Sequence, residues 1–189
     1  MASMRNSSIC FTLVLGTAAG GALPQTHGTG GHGHTPAQPL QPSPYASEAP
    51  REIKALSADE QQAWLEGRGS GLARAAELNS HPGPMHVLEL ASQLKLSSEQ
   101  QSRSRDLMDR HKAEVRELGQ RLVALERELD GLFNARSPVD RADASRLAEA
   151  IGTLAGRIRA SHLRTHIEQT ALLTRAQVDL YDQLRGYRK

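Results

Sequence analysis

From Ser97 to Ser137 the chain carries no proline, and its apolar or weakly polar positions fall at His111, Val115, Leu118, Leu122, Leu125, Leu129 and Leu132. The spacing alternates between four and three, which is the period of a sustained heptad seam. The positions between are charged in mixed sign (Arg116, Glu117, Arg121, Glu126, Arg127, Glu128), as on the solvated face of a helix. Ser97 caps this helix, with Gln100 as its capping-box partner. A helix of roughly 38 residues is ~57 Å long, and a helix of that kind needs a packing partner. The partner follows at once. Ser137-Pro138 breaks the chain, and a second stripe at Leu147, Ile151, Leu154, Ile158, His162 and Thr165 predicts a helix from Asp140 to Leu172. So short a connection predicts an antiparallel hairpin. Thr174 then caps a last helix, with Gln177 as box partner, and Gly186 stops it.

Upstream the pattern is more broken. The chain is expected to become helical from residue 51. Ser57 and Glu60 form a capping box at the first short helix. Gly67, Gly69 and Gly71 interrupt it, and a second short helix is expected from Leu72 to Leu78. His81-Pro82-Gly83-Pro84 reads as a turn, followed by a short amphipathic segment from His86 to Leu94. The predicted fold class is therefore all-α, a long antiparallel helical hairpin with short flanking helices, spanning residues 51–189. Residues 23–50 read as a disordered linker rich in Pro, Gly and His. Residues 1–22 read as a removable export signal: Arg5 comes first, then the apolar run Ile9 to Ala19, then small residues at Gly20 and Ala22. The run is too short to span a bilayer. The expected location is the periplasm, with no integral membrane segment in the mature protein.

Composition narrows the picture. Aromatic residues make up only 3% of the chain, so a core must be built from Leu, Ala, Ile and Val, which suits helices packed on helices. The formal net charge of +2 is too small an excess for a dedicated nucleic-acid binder. The single cysteine, Cys10, lies inside the export signal, which leaves the mature chain without a disulfide or thiolate metal site. No nucleophile triad, nucleotide-binding glycine loop or metalloprotease His-Glu-x-x-His occurs. The stretch Gly67-Arg68-Gly69-Ser70-Gly71 follows no strand and lacks the P-loop lysine, so it reads as a hinge. No enzymatic activity is expected.

The candidate chemistry lies in histidines. His162 and His166 are four residues apart on one helix face and can reach a common ligand. The hairpin turn is centred near residue 137, so His111 on the first long helix is expected to sit close to His162. Met108 is a turn away from His111, and Glu114 is on the flank. Imidazole and thioether suit Zn, Ni or Cu better than Mg or Ca. Two readings stand side by side: a metal site built from His111, His162 and His166 with Met108 or Glu114, or ordinary interhelical histidines. The tail histidines His27, His32 and His34 likewise read either as a weak metal-collecting tract or as a solvated spacer.

Two caps share one pattern. Leu96-Ser97-Ser98-Glu99-Gln100 and Leu173-Thr174-Arg175-Ala176-Gln177 both fit Leu-Ser/Thr-x-x-Gln. With the export signal, the missing cysteines and the helical hairpin, this resembles the family of small periplasmic helical proteins named for the LTxxQ repeat. That family includes the Spy and CpxP stress proteins and, more distantly, heavy-metal sensors of the CnrX type. The resemblance covers residues 51–187. It implies an elongated hairpin that forms a homodimer. Members similar to Spy bind unfolded clients without ATP; members similar to CnrX bind divalent metals through His, Glu and Met and signal through an envelope regulator. The expected function is therefore that of an envelope-stress binding protein. It would act as an ATP-independent chaperone or adaptor, with unfolded envelope proteins or an envelope signalling protein as partners. The alternative is a periplasmic heavy-metal sensor or resistance accessory.

Overall fold

The computed structural model of the chain describes residues 41–135 and 137–188. The expected export signal, and His27, His32 and His34, lie outside the described residues. Six α-helices are present among them: α1 (Ala58–Glu66), α2 (Arg74–Glu77), α3 (Pro84–Glu89), α4 (Ser98–Asn134), α5 (Arg141–Ala171) and α6 (Arg175–Leu184). There is no strand among the described residues, so the all-α hairpin architecture is the observed one. None of these helices is long and apolar enough to cross a membrane.

The caps fall where the sequence places them. Ser57, Ser97 and Thr174 each accept the backbone N–H three residues on, and each box is closed by the side chain of Glu60, Gln100 or Gln177. Asp140 caps α5 by accepting from the Ala142 N–H. Three expectations shift. The segment from residue 51 is not yet helical: Leu56 N–H closes a tight turn onto the Ile53 carbonyl at 3.1 Å. That turn buries Ile53 and Leu56 against Val123 of α4. The second short helix is only Arg74–Glu77, because Leu72 and Arg74 are first drawn into turns on the Gly69 and Gly71 carbonyls. The third begins at Pro84 rather than at His86, since proline suits the first turn of a helix, where no N–H is required.

α4 and α5 pair antiparallel as the hairpin. Its core, Val115, Leu118 and Leu122 against Leu154 and Ile158, is joined by Trp64 of α1. α1 crosses α4 at Gly119, where a Cβ would overlap the Trp64 carbonyl; only glycine permits that approach. Beyond α1 the seam loosens, and Leu125, Leu129 and Leu132 stay half-buried.

At the opposite end the two Leu-Ser/Thr-x-x-Gln caps interlock. Gln100 Nε2 donates to Gln177 Oε1 at 2.9 Å and to the Leu172 carbonyl at 2.8 Å. Gln177 Nε2 donates to Gln100 Oε1 and to the Leu94 carbonyl, each at 3.1 Å. Each amide oxygen also takes the N–H of its own cap. Glutamine is needed here because a carboxylate has no donor to give. The leucines of the motif enter a small core beside it, Leu96 with Val87, Leu94 and Tyr181, and Leu173 packed on that group. The repeated motif thus ties the base of the hairpin to α6.

Candidate metal centre

His111 and His162 meet between the long helices, as the antiparallel register requires. Their rings are edge to face with centroids 4.3 Å apart, and His111 Nε2 lies 3.0 Å from His162 Nδ1. His111 Nδ1 lies 3.1 Å from Ser161 Oγ. The Ser161 hydroxyl donates to Glu114 Oε2 at 2.7 Å, and Arg164 grips both oxygens of that carboxylate at 2.9 and 2.7 Å.

The proton positions follow from one end of this chain. Glu114 is held below the ordinary carboxylate range by the Ser161 hydroxyl and the Arg164 guanidinium. Being ionised, it only accepts. Ser161 must therefore give it the hydroxyl proton and receive from His111 Nδ1–H. Burial pushes the pKa of His111 down to about 4, so the ring is neutral and its Nε2 is an acceptor. His162 must then donate from Nδ1. Burial, with the neighbouring histidines, holds His162 at about 4 as well, so it too is neutral. What remains is a bare lone pair on His162 Nε2. That atom is buried and has no hydrogen-bond partner among the described residues. A neutral imidazole fixed through Nδ1–H with Nε2 unspent is the form in which histidine binds metal.

His166, one turn along α5, is oriented the same way. Its Nδ1 donates to the His81 carbonyl at 2.7 Å, with Glu77 Oε2 at 3.5 Å. In the neutral ring this too leaves Nε2 with the lone pair. Nε2 rests against Gly83, where a Cβ would come within 2.6 Å of it. Gly69 covers the Cε1–Nδ1 edge of His162 in a similar way. His111, His162, His166 and Met108 all line one cleft of about 850 Å³, bounded on its other side by the 66–74 loop and by Met85.

The sequence-predicted set is therefore brought together only in part. His162 and His166 line a shared cleft, His162 with a buried and unpartnered Nε2, and Met108 lines it too. His111 spends both nitrogens on orienting His162. Glu114 does not join them, because Ser161 and Arg164 occupy its oxygens. Among the described residues no three His, Cys, Asp or Glu side chains converge on one point. The donors present fit an ion that accepts imidazole and thioether, with its other positions filled from outside the chain.

Residues 67–179 match the family model described as heavy-metal resistance. The chain belongs to this heavy-metal resistance family. No curated protein and no solved structure matches it. The matched stretch runs from the glycine loop through the first half of α6, so it contains His111, His162, His166 and Met108 and both Leu-Ser/Thr-x-x-Gln caps. Sequence reasoning missed Ser161, which sits next to a predicted ligand and has no distinctive spacing. It also missed the part played by Gly69 and Gly83. Their placement in two breaks of the helical pattern pointed to turns, not to contact with imidazoles.

Proposed function

We propose that this protein is a periplasmic metal-binding member of the heavy-metal resistance family, acting as a sensor or resistance accessory and not as an enzyme. The observation that carries the reading is the lone pair of His162 Nε2. It is buried, unpartnered and fixed by a hydrogen-bonded chain that ends on an ion pair. Burying a polar atom without a partner costs about 1–3 kcal/mol, and a bound ion would offset that cost. His162 and His166 would hold the ion, with Met108 beside them; Zn, Ni and Cu fit such donors.

The family match and this donor geometry favour metal binding over the client-capture reading, which would draw on exposed apolar side chains. The two most exposed of these on the hairpin, Phe133 at 63% and Ile167 at 59%, sit at opposite ends of it. Ile167 is some 26 residues into α5, roughly 39 Å from the turn. They form no common surface.

Calorimetric titration of the mature chain with Zn and Ni tests the reading. Wild type is expected to show a stoichiometric step that His162→Ala/His166→Ala lacks, any binding by the tail being common to both proteins. Identical isotherms, with both proteins folded by circular dichroism, would remove the site.

A further inference from the structure

The cleft is far larger than an ion requires, and it carries the wrong charge for one. Its volume of about 850 Å³ lies in the range of small-molecule sites, roughly 300–1,000 Å³. An ion completed by a few waters, at about 30 Å³ each, would leave most of it unfilled. Arg68, Arg74, Lys112 and Arg116 line it against two carboxylates, Glu66 and Glu77. Glu66 is spent on Arg68 at 2.9 Å. Glu77 accepts from the Tyr181 and Tyr187 hydroxyls and from the Gly83 N–H. Arg74 and Lys112 have no acidic partner among the described residues. A bare dication entering this cleft meets uncompensated positive charge.

These observations make one demand together. The chain supplies two imidazole nitrogens, one thioether and no converging carboxylate, so the remaining donors must come from elsewhere. Whatever supplies them must also bring negative charge. We propose that the cleft takes its metal as a complex with a small organic polycarboxylate. His162 and His166 hold the ion, and Arg74 and Lys112 hold the carboxylates that remain free. This rests on the metal-binding reading above. Carboxylate oxygens complete the coordination of the metal, and those left over pair with guanidinium and ammonium groups as charge-assisted bonds. Met85 provides an apolar wall of the same cleft.

Equilibrium dialysis of the full chain against nickel at fixed free concentration, with and without labelled citrate, tests the proposal. Citrate is expected to raise nickel retention at least tenfold and to be retained one for one with it. Arg74→Gln/Lys112→Gln is expected to lose the gain and the retained citrate while binding bare nickel at least as well as wild type does. His162→Gln/His166→Gln should lose nickel in both conditions. Nickel retained equally with and without citrate would overturn the chelate and leave the metal site standing. The chelate would be overturned too by citrate retained as well without nickel, or by a gain that survives in the Arg74/Lys112 variant. No specific nickel retention in either condition would overturn the metal site and this inference with it.

Discussion

The two halves of the hairpin share one heptad register and are built of different material. Toward the turn, Val115, Leu118 and Leu122 of α4 meet Leu154 and Ile158 of α5, and nothing polar intervenes. Toward the base the same register places Ser104 and His111 opposite Ser161, His162, Thr165 and Gln169, and all but His111 of these are buried. The cover differs as well. α1 lies across α4 at Gly119, whereas the base is enclosed by α2, α3 and the interlocked caps. A buried seam of hydroxyls, imidazoles and an amide gives up hydrophobic stabilisation, and each polar atom then needs a partner. The seam between the long helices is apolar in one half of the hairpin and largely polar in the other.

The contrast is broken most directly at Ile158, which is 1% exposed in the apolar half. Ile158→Ala removes packed methyl groups where neighbouring helices cannot close in, and should cost about 2–5 kcal/mol, read as a drop in the urea midpoint. The equivalent truncation at Thr165, one of the buried polar positions, should cost much less, since few apolar contacts are lost. Equal losses at the two sites would mean that the halves do not differ in what they contribute.

The next effect down is the response to acid. His111 and His162 are held near 4, while an unfolded histidine titrates near 6.5. Between those values the unfolded chain binds more protons than the folded one, so stability falls as the pH drops through that window. Above about 6.5 the contribution is complete, and below about 4 these two groups cause no further loss. Urea unfolding at pH 7.5 and pH 5 should show the decline in wild type and a flatter profile in His111→Gln/His162→Gln. Matching profiles would mean that the imidazoles are hydrated in solution and that burial does not set their titration.

The same division explains what could be read from the sequence. Heptad spacing, the break at Pro138 and three capping boxes are local signals, and they placed both long helices and α6 to within a residue. Antiparallel register then put His111 beside His162, because a hairpin turn fixes which residues face each other. The short N-terminal elements were less legible. Ile53 and Leu56 look like the start of a helix, but their burial against Val123 is a tertiary contact with no local trace. The site was legible as to its histidines and not as to its chemistry. Which nitrogen stays free depends on Ser161, Glu114 and Arg164 acting in series, and the spacing of these residues is shared with any charged helix face. The mutual pairing of Gln100 and Gln177 was hidden for a similar reason: each cap looks complete on its own.

The smallest expected effect sharpens the comparison by reversing its sign. Seven residues back along α4 from His111 and seven forward along α5 from His162 lie Ser104 and Gln169, one heptad deeper into the base. Both are fully buried. Ser104 Oγ and both amide atoms of Gln169 lack partners among the described residues. An orphaned buried polar group costs about 1–3 kcal/mol, and methionine follows the unbranched shape of glutamine closely enough to fill the same space. Gln169→Met should therefore raise the unfolding free energy by about 1 kcal/mol, read from urea unfolding, and leave the nickel binding proposed for His162 and His166 unchanged. A stabilised variant that still binds metal would show that this layer is a cost separable from the site. A destabilised one would mean that ordered water or an alternative rotamer satisfies the amide, making this layer a supporting part of the histidine chain about two turns away.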